Sequence, residues 1–209
     1  MIKDYKLLAV VSLLALAALA WAIVIAAQPE YARYQKEYAK LCGIDDAKVE
    51  IKQINIDVGG KPLIDRCITC HVGYANPDAT NFEPPLTAHS PIVPGMDTDP
   101  HDLGKIGCVA CHDGNGRSVS QEDAHGHFHM WPSPLLAKND VQASCIRCHD
   151  TNTKPLAGAP VLNKGRSLFM EKACWSCHTI EGVSNGKVGP DLTNAGAKFS
   201  MAYLKESIV

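Results

Sequence analysis

The sequence predicts a mostly α-helical and irregular fold with one N-terminal transmembrane helix. The first observation behind this prediction is an apolar run at residues 7–27, in which Ser12 is the only polar residue. The second is a middle region rich in Pro, Gly, Asn and Asp, which are typical of turns. The third is the pattern Cys-X-X-Cys-His, which occurs four times in 209 residues. Because the middle region has few long apolar runs, it cannot easily bury an ordinary side-chain core.

The apolar run is long enough to cross a bilayer. Its 21 residues would form a helix of ~32 Å. A secretory signal peptide has a shorter apolar region of about 7–15 residues and a small-residue cleavage site, so we expect a retained anchor rather than a cleaved peptide. Tyrosines at both ends of the run are candidate interface residues, namely Tyr5, Tyr31, Tyr34 and Tyr38.

The anchor and its helical extension are predicted to occupy residues 1–40. Good helix formers follow Pro29, so we expect the helix to kink there rather than stop. Gly43 would act as its C-cap. Residues 49–58 alternate in part between apolar and polar, which predicts one strand, or two short strands with a break at Gln53.

The four Cys-X-X-Cys-His motifs are attachment sites for c-type haem. Two thiols bond to the porphyrin and the adjacent histidine ligates the iron. Zinc sites and redox dithiols also use paired cysteines, but neither requires a histidine directly after the second one. The sequence therefore predicts four covalently bound haem c groups. The residues that would hold them are Cys67, Cys70 and His71; Cys108, Cys111 and His112; Cys145, Cys148 and His149; and Cys174, Cys177 and His178.

Five further histidines are candidates for the second axial position of the first three haems. We predict His89, His101 and His125 as distal iron ligands, because they lie in the same region as the first three motifs. His127 and His129 are reserves, and Met96 and Met130 compete with them. The pairing of distal ligands with haems stays open at this point. The cluster at residues 125–129 could equally be a solvated or accessory metal-binding tract.

The C-terminal part, residues 161–209, has a different pattern. Gly165 and Phe169 precede the fourth motif, and Val188-Gly189-Pro190-Asp191-Leu192 follows it. This segment resembles the small class I monohaem cytochrome c fold, which is all-α. The resemblance implies that Gly165 and Phe169 pack on a last helix. It also implies that Pro190 lies beside His178, whose imidazole a nearby carbonyl would orient.

The family's sixth ligand is a methionine from a loop further on. Met201 is available here, but it stands at the start of the next helix, where the family keeps no ligand. We therefore expect this domain to be incomplete at its C-terminus. The first three motifs lie in residues 41–160, which we expect to form a trihaem region with a haem core. Regular structure should be sparse there, apart from a short helical turn at each motif.

The whole chain resembles multihaem subunits of bacterial quinol-oxidising respiratory complexes, which have the same order of anchor, haems and terminal domain. The stretches 107–108, 113–117 and 124–126, with Trp131, add to this resemblance. It implies a subunit that carries electrons from a quinol-oxidising partner to a soluble or membrane acceptor. We assign no catalytic residue and expect no catalysis by this chain alone.

Two other functions stay open. One is an autonomous membrane-anchored tetrahaem quinol dehydrogenase, although that family has a methionine two residues after its first motif histidine and this chain has Val72-Gly73. The other is a multihaem reductase of a small nitrogen or sulfur compound, which would need a haem with an open face and nearby acid–base groups.

Location follows from the haem motifs rather than from charge. Basic residues flank the anchor on both sides, so the positive-inside rule is undecided. Covalent haem attachment takes place outside the cytoplasm, which predicts a single-pass inner-membrane protein with a cytoplasmic N-terminus and periplasmic haem domains. The net charge of −2 gives no indication of nucleic-acid binding. Cys42 lies outside the motifs, and we assign it no role.

Overall fold

The computed structural model describes residues 2–58, 61–89, 101–127, 131–149 and 154–208. The prediction of a mostly helical and irregular fold is confirmed. The helices are α1 (Ile2–Ala26), α2 (Glu30–Cys42), α3 (Leu103–Ile106), α4 (Val109–His112), α5 (Gln121–Ala124), α6 (Pro160–Glu171), α7 (Ala195–Lys198) and α8 (Met201–Glu206). The strands are β1 (Ile54–Val58), β2 (Lys61–Asp65), β3 (Thr179–Ile180) and β4 (Ser184–Asn185), and 3₁₀ turns cover Cys67–Thr69, Pro77–Asn81, Val141–Arg147 and Cys174–Ser176.

Helix α1 contains the predicted apolar run. Its segment Tyr5–Ile25 has a mean hydropathy of 2.8 and is long and apolar enough to span a membrane, a test that a signal sequence also passes. None of this segment is buried against the rest of the protein. Within the described ranges, it is the one helix that meets these criteria.

The prediction of one helix kinked at Pro29 is wrong, because the helix ends before Pro29 and a second helix begins after it. Helix α1 ends at Ala26, and α2 begins at Glu30 with Pro29 as its N-cap residue in an extended conformation, at ψ 140°. Proline has no N–H to donate, which costs least at the start of a helix. The prediction for the other end of α2 is confirmed: Gly43 adopts φ 68°, and its N–H donates to the carbonyls of the last turn.

A β-hairpin precedes the first motif. Strand β1 pairs antiparallel with β2, with Ile54 opposite Asp65 and Ile56 opposite Leu63. The predicted strand is thus confirmed for residues 54–58 only, and residues 49–53 are not in a strand. Strand β2 was not predicted because it contains Pro62 and Asp65, residue types that are depleted in strands. A two-stranded sheet tolerates such residues because both of its strands are edges.

The apolar core of the described residues is small. Its buried apolar members are Ala32, Tyr34, Ala39, Ile56, Ala79, Leu86, Val141 and Ala159. The largest fully buried side chains are polar, Thr69 and Asp65. This agrees with the prediction that the middle region does not bury an ordinary side-chain core.

Candidate haem-binding sites

Each Cys-X-X-Cys-His motif forms a single helical turn. In all four, the histidine N–H donates to the carbonyl of the first cysteine. A helical turn brings residues three and four apart onto one face, so both thiols and the imidazole of a motif share a side, as haem c attachment requires. The N···O distances are 2.9 Å for His71 to Cys67, 2.9 Å for His112 to Cys108, 3.0 Å for His149 to Cys145 and 3.0 Å for His178 to Cys174.

No cysteine is used in a disulfide. All nine cysteines of the chain lie in the described ranges, and all nine are free. The eight motif thiols are thus available for thioether bonds. Cys42 ends α2, outside the motifs, and it still has no assigned role.

Three of the spare histidines lie next to motif histidines. The three are the predicted distal candidates, and each has a different partner. The ring centres are 6.4 Å apart for His71 and His125, 6.1 Å for His112 and His89, and 5.7 Å for His149 and His101.

These separations fit an iron ion between the two rings of each pair. With a metal–nitrogen distance of about 2 Å on each side and each ring centre about 1 Å behind its nitrogen, two axial imidazoles would have ring centres roughly 6 Å apart. The planes of the three ring pairs meet at 34°, 83° and 35°. The residues present therefore suit haem groups with histidine on both faces.

His127 occupies a different position from the three candidates. Its ring centre lies 6.0 Å from that of His125, at an interplanar angle of 83°. It is exposed, whereas His125 is half-buried. His127 is thus a neighbour of a candidate ligand and does not face a motif histidine. The remaining candidate ligands of the trihaem region, Met96, His129 and Met130, lie outside the described residues.

Burial and crowding lower the pKa values of three of these imidazoles. The pKa of His71 is lowered, first by burial and then by the nearby His125. The pKa of His112 is lowered by burial and then by His89, and that of His125 by burial and then by His127. Neutral imidazole is the form that ligates a metal, so the electrostatics match the geometry.

Side chains of helix α2 form hydrogen bonds with the two chain segments that contain His71 and His125. The side chain of Gln35, 5 % exposed, donates to the carbonyl of Thr69 inside the first motif at 2.8 Å. At the other end of α2, Glu30 accepts from the N–H of Gln121 at 2.8 Å. Gln121 begins α5, the short helix that precedes His125. The first pair is therefore tied to the helix that follows the apolar helix α1.

Asp65 joins the first and second motifs. One carboxylate oxygen accepts from the N–H of Cys67 at 2.9 Å. The other accepts from the N–H groups of Cys108 and Val109 at 2.6 and 2.9 Å. The Sγ atoms of Cys67 and Cys108 and a carboxylate oxygen of Asp65 all lie within 4.8 Å of one another. The pKa of the Cys67 thiol is raised, first by its hydrogen bond with Cys108 and then by burial.

Arg147 joins the second and third motifs. It lies inside the third motif, and its guanidinium donates to the carbonyl of Ala110 at 3.0 Å. It also pairs with both carboxylate oxygens of Asp113, at 2.7 and 2.8 Å. Asp113 directly follows His112 and has a positive φ of 59°. A forked guanidinium suits this kind of contact because it offers several donors in one plane.

Two contacts connect the third motif to the C-terminal segment. The side-chain oxygen of Gln142 accepts from the N–H groups of Val161 and Leu162, in the first turn of α6, at 2.7 and 3.2 Å. Lys205 in α8 pairs with Asp140 at 2.7 Å. Both contacts involve residues just before the third motif, so the segment with the fourth motif adjoins that part of the chain.

The fourth motif has the arrangement that the sequence resemblance implied. Nδ1 of His178 lies 2.9 Å from the carbonyl oxygen of Pro190. An N–H at Nδ1 would leave Nε2 free to ligate iron. Gly189 lets this loop lie against the ring, because a Cβ there would be 2.6 Å from the imidazole. At Gly165 a Cβ would meet nothing within 4 Å, so its packing role stays a prediction.

Sequence reasoning missed Asp65, Arg147 and Gln35. Asp65 carried a usable signal, since an aspartate side chain commonly accepts from the backbone N–H two residues further on, as Asp65 does from Cys67. Arg147 and Gln35 carried none, because their partners in the other motifs lie 34 to 37 residues away. Only the folded chain brings these groups together.

Comparison with known proteins identifies the C-terminal segment. Residues 162–209 match the family model for cytochrome c. These residues are a cytochrome c domain, which implies covalently bound haem c and haem-based electron transfer. No curated protein and no solved structure matches the chain significantly.

Proposed function

We propose that the chain is a tetrahaem c-type cytochrome that transfers electrons on the periplasmic face of the membrane. It would act as a subunit of a respiratory complex, taking electrons from a quinol-oxidising partner and delivering them to a downstream acceptor. When bound, each haem supplies an iron that changes oxidation state by one electron. The chain's own residues attach these groups, ligate them and fix their spacing.

The observation that carries this proposal is the set of three neighbouring histidine pairs. Each pair combines one motif histidine with one histidine from outside the motifs, at ring separations of 5.7–6.4 Å. Chance placement of three spare histidines would not be expected to give one partner per motif. We assign His125, His89 and His101 as the distal ligands opposite His71, His112 and His149. Both faces of these three irons would then be closed to substrate.

The contacts between motifs support a linear order of the four haems. Asp65 links the first motif to the second, and Arg147 links the second to the third. Gln142 links the third to the cytochrome c domain. Helix α2 contacts the first motif, so the order begins beside the membrane anchor and ends at the terminal domain. Such an order suits a relay between a membrane donor and a partner at the far end.

A second candidate function is an autonomous quinol dehydrogenase. It is favoured by the contacts of α2, which tie the first histidine pair to the segment that follows α1. A quinol in the membrane could then reach the first haem without a partner subunit. A reductase of small compounds is disfavoured, because histidine ligation on both sides would leave no open iron among the first three sites.

Two measurements test the proposal. Mass spectrometry of the denatured, full-length protein should show four haem additions, and a count of three or stoichiometric zinc would overturn it. Purification in mild detergent should then recover the chain with other respiratory subunits. Quinol should reduce the haems in that assembly and not in the isolated chain. Reduction of the isolated chain at the same rate would instead establish the autonomous quinol dehydrogenase.

A further inference from the structure

We propose that the buried carboxylate of Asp65 is a shared electrostatic and positioning group for the first two haems, lowering the reduction potentials of both. The inference rests on the proposed function, since it requires haem at the first and second motifs. It concerns a residue that belongs to neither motif and ligates no iron.

The first step is the unusual environment of this side chain. Asp65 is fully buried, with 0 % of its surface exposed. It forms no salt bridge with any described residue, and three backbone N–H groups donate to its carboxylate. Hydrogen bonds of this type stabilise the charged form of a carboxylate. A buried negative charge is weakly screened by water and salt, so it acts over a longer range than a surface charge.

The second step is that the three N–H donors come from both attachment turns. Cys67 opens the first motif, and Cys108 and Val109 open the second. One carboxylate therefore caps two turns that are 41 residues apart in the chain. The nearby thiols of Cys67 and Cys108 would each bond to a different porphyrin. The charge thus lies between the attachment points of two haems.

The third step is that the carboxylate has little freedom to move away. Gly107 has a positive φ of 68°, and a Cβ on it would lie 2.8 Å from Oδ2 of Asp65 and 3.0 Å from Cδ1 of Ile56. Ile56 is buried, at 3 % exposure. The backbone of Asp65 is held in strand β2 by its pairing with β1. The charge is therefore fixed relative to both motifs.

The consequence for the haems follows from charge. A ferric haem carries one more positive charge than a ferrous haem, so a fixed negative charge nearby favours the ferric form. Charge and burial around a haem are among the protein's means of setting its potential. Because Asp65 lies between two sites, it would lower both potentials together. The two haems on the anchor side would then pass electrons onward more readily.

Asparagine and glutamate at position 65 separate charge from geometry. Asp65→Asn keeps the shape of the side chain and removes the charge, and Asp65→Glu keeps the charge and moves it. Asp78→Asn is the matched control, because it removes one charge from an exposed position in the same region. All variants are made in the full-length protein, and potentials are resolved by haem with spectroelectrochemistry and paramagnetic resonance.

In Asp65→Asn, we expect two of the four potentials to rise by about 59 mV, equivalent to a tenfold change in the one-electron equilibrium constant. For the other two haems, the change in potential should correspond to less than about a twofold change in that equilibrium constant. In Asp65→Glu both potentials should stay near their wild-type values, and Asp78→Asn should change none of the four. Hydrogen exchange at the amides of Cys67, Cys108 and Val109 should become faster in Asp65→Asn. A purely structural group would accelerate exchange without moving two potentials selectively.

Other outcomes would overturn the inference. If Asp65→Asn carries four haems and no potential changes, or all four change equally, Asp65 is not a shared group for the first two haems. If the variant matures poorly, peptide mapping decides: loss confined to the first two motifs supports the inference, and uniform loss overturns it. A wild-type protein with fewer than four haems would refute the proposed function instead, so the two failures are distinguishable.

Discussion

Replacing His125 with alanine tests the assignment of the first distal ligand. Alanine ends at Cβ and cannot reach an iron that His71 ligates from the other side. The haem at the first motif should therefore become five-coordinate and high-spin, and its ferrous form should bind carbon monoxide. His127→Ala is the matched control, because His127 is only two residues away and its ring lies 6.0 Å from that of His125.

The expected magnitude follows from the number of sites. With four haem motifs in the chain, opening one site should make about one quarter of the total haem reactive toward carbon monoxide beyond the wild-type level. The carbon monoxide difference spectrum of the reduced, full-length protein measures this fraction. Haem content should stay at four, because the thioether bonds do not depend on the distal ligand. His127→Ala should bind no more carbon monoxide than the wild type.

The reasoning would be refuted by either of two results. One is an unchanged spectrum in His125→Ala with full haem content, which would show that another group ligates the first haem. The other is equal carbon monoxide binding in both variants. That result would mean that the spacing of the two rings does not distinguish a ligand from its neighbour.

Three further predictions concern other parts of the chain. Replacing residues 1–28 with a cleavable signal should give a soluble protein that still carries haem, because the apolar segment of α1 has no buried residue; loss of haem on mass spectrometry would contradict this. Gly189→Ala should shift the spectrum and potential of the fourth haem, because its Cβ would be 2.6 Å from the imidazole, whereas Gly196→Ala has open space and should change neither. Arg147→Ala should lower the thermal midpoint by a few °C. It should also slow electron equilibration between the second and third haems, measured by flash photolysis. An altered rate or spectrum at the first haem alone would argue against the loss of the Asp113 contact as the cause. The partly exposed Arg147 pair should contribute no more than about 1 kcal/mol to stability.

The local chemistry of the haem sites could be predicted from the sequence. Cys-X-X-Cys-His is a contiguous pattern whose geometry depends only on one helical turn, so all four motif geometries were expected. The support of His178 by the Pro190 loop was also expected, because the resemblance to class I cytochrome c implied it. The end of α2 at Gly43 followed from a general property of glycine at helix ends.

The pairing of the candidate distal histidines could not be predicted, because it does not follow chain order. His89 and His101 both lie between the first and second motifs, yet they face the second and third motif histidines. His125 follows the second motif and faces the first. No local pattern encodes these crossings. For the first pair, Gln35 and Glu30 on α2 hold the two segments through partners that are far along the chain.

This interleaved arrangement has a consequence for how the trihaem region holds together. If the facing histidines are ligands, the first haem requires a residue at position 125, and the third requires one at position 101. Every cut of the chain between the first and third motifs would then separate at least one motif histidine from its distal ligand. The shared carboxylate of Asp65 and the Arg147–Asp113 pair also connect neighbouring motifs to one another. The first three motifs should therefore form and unfold as one cooperative unit.

The fourth motif differs, because the described groups around His178 come from residues 174–190 of its own segment. On the proposed function, the protein would thus combine an interdependent trihaem unit with a locally assembled terminal site, which a partner would engage without disturbing the other three.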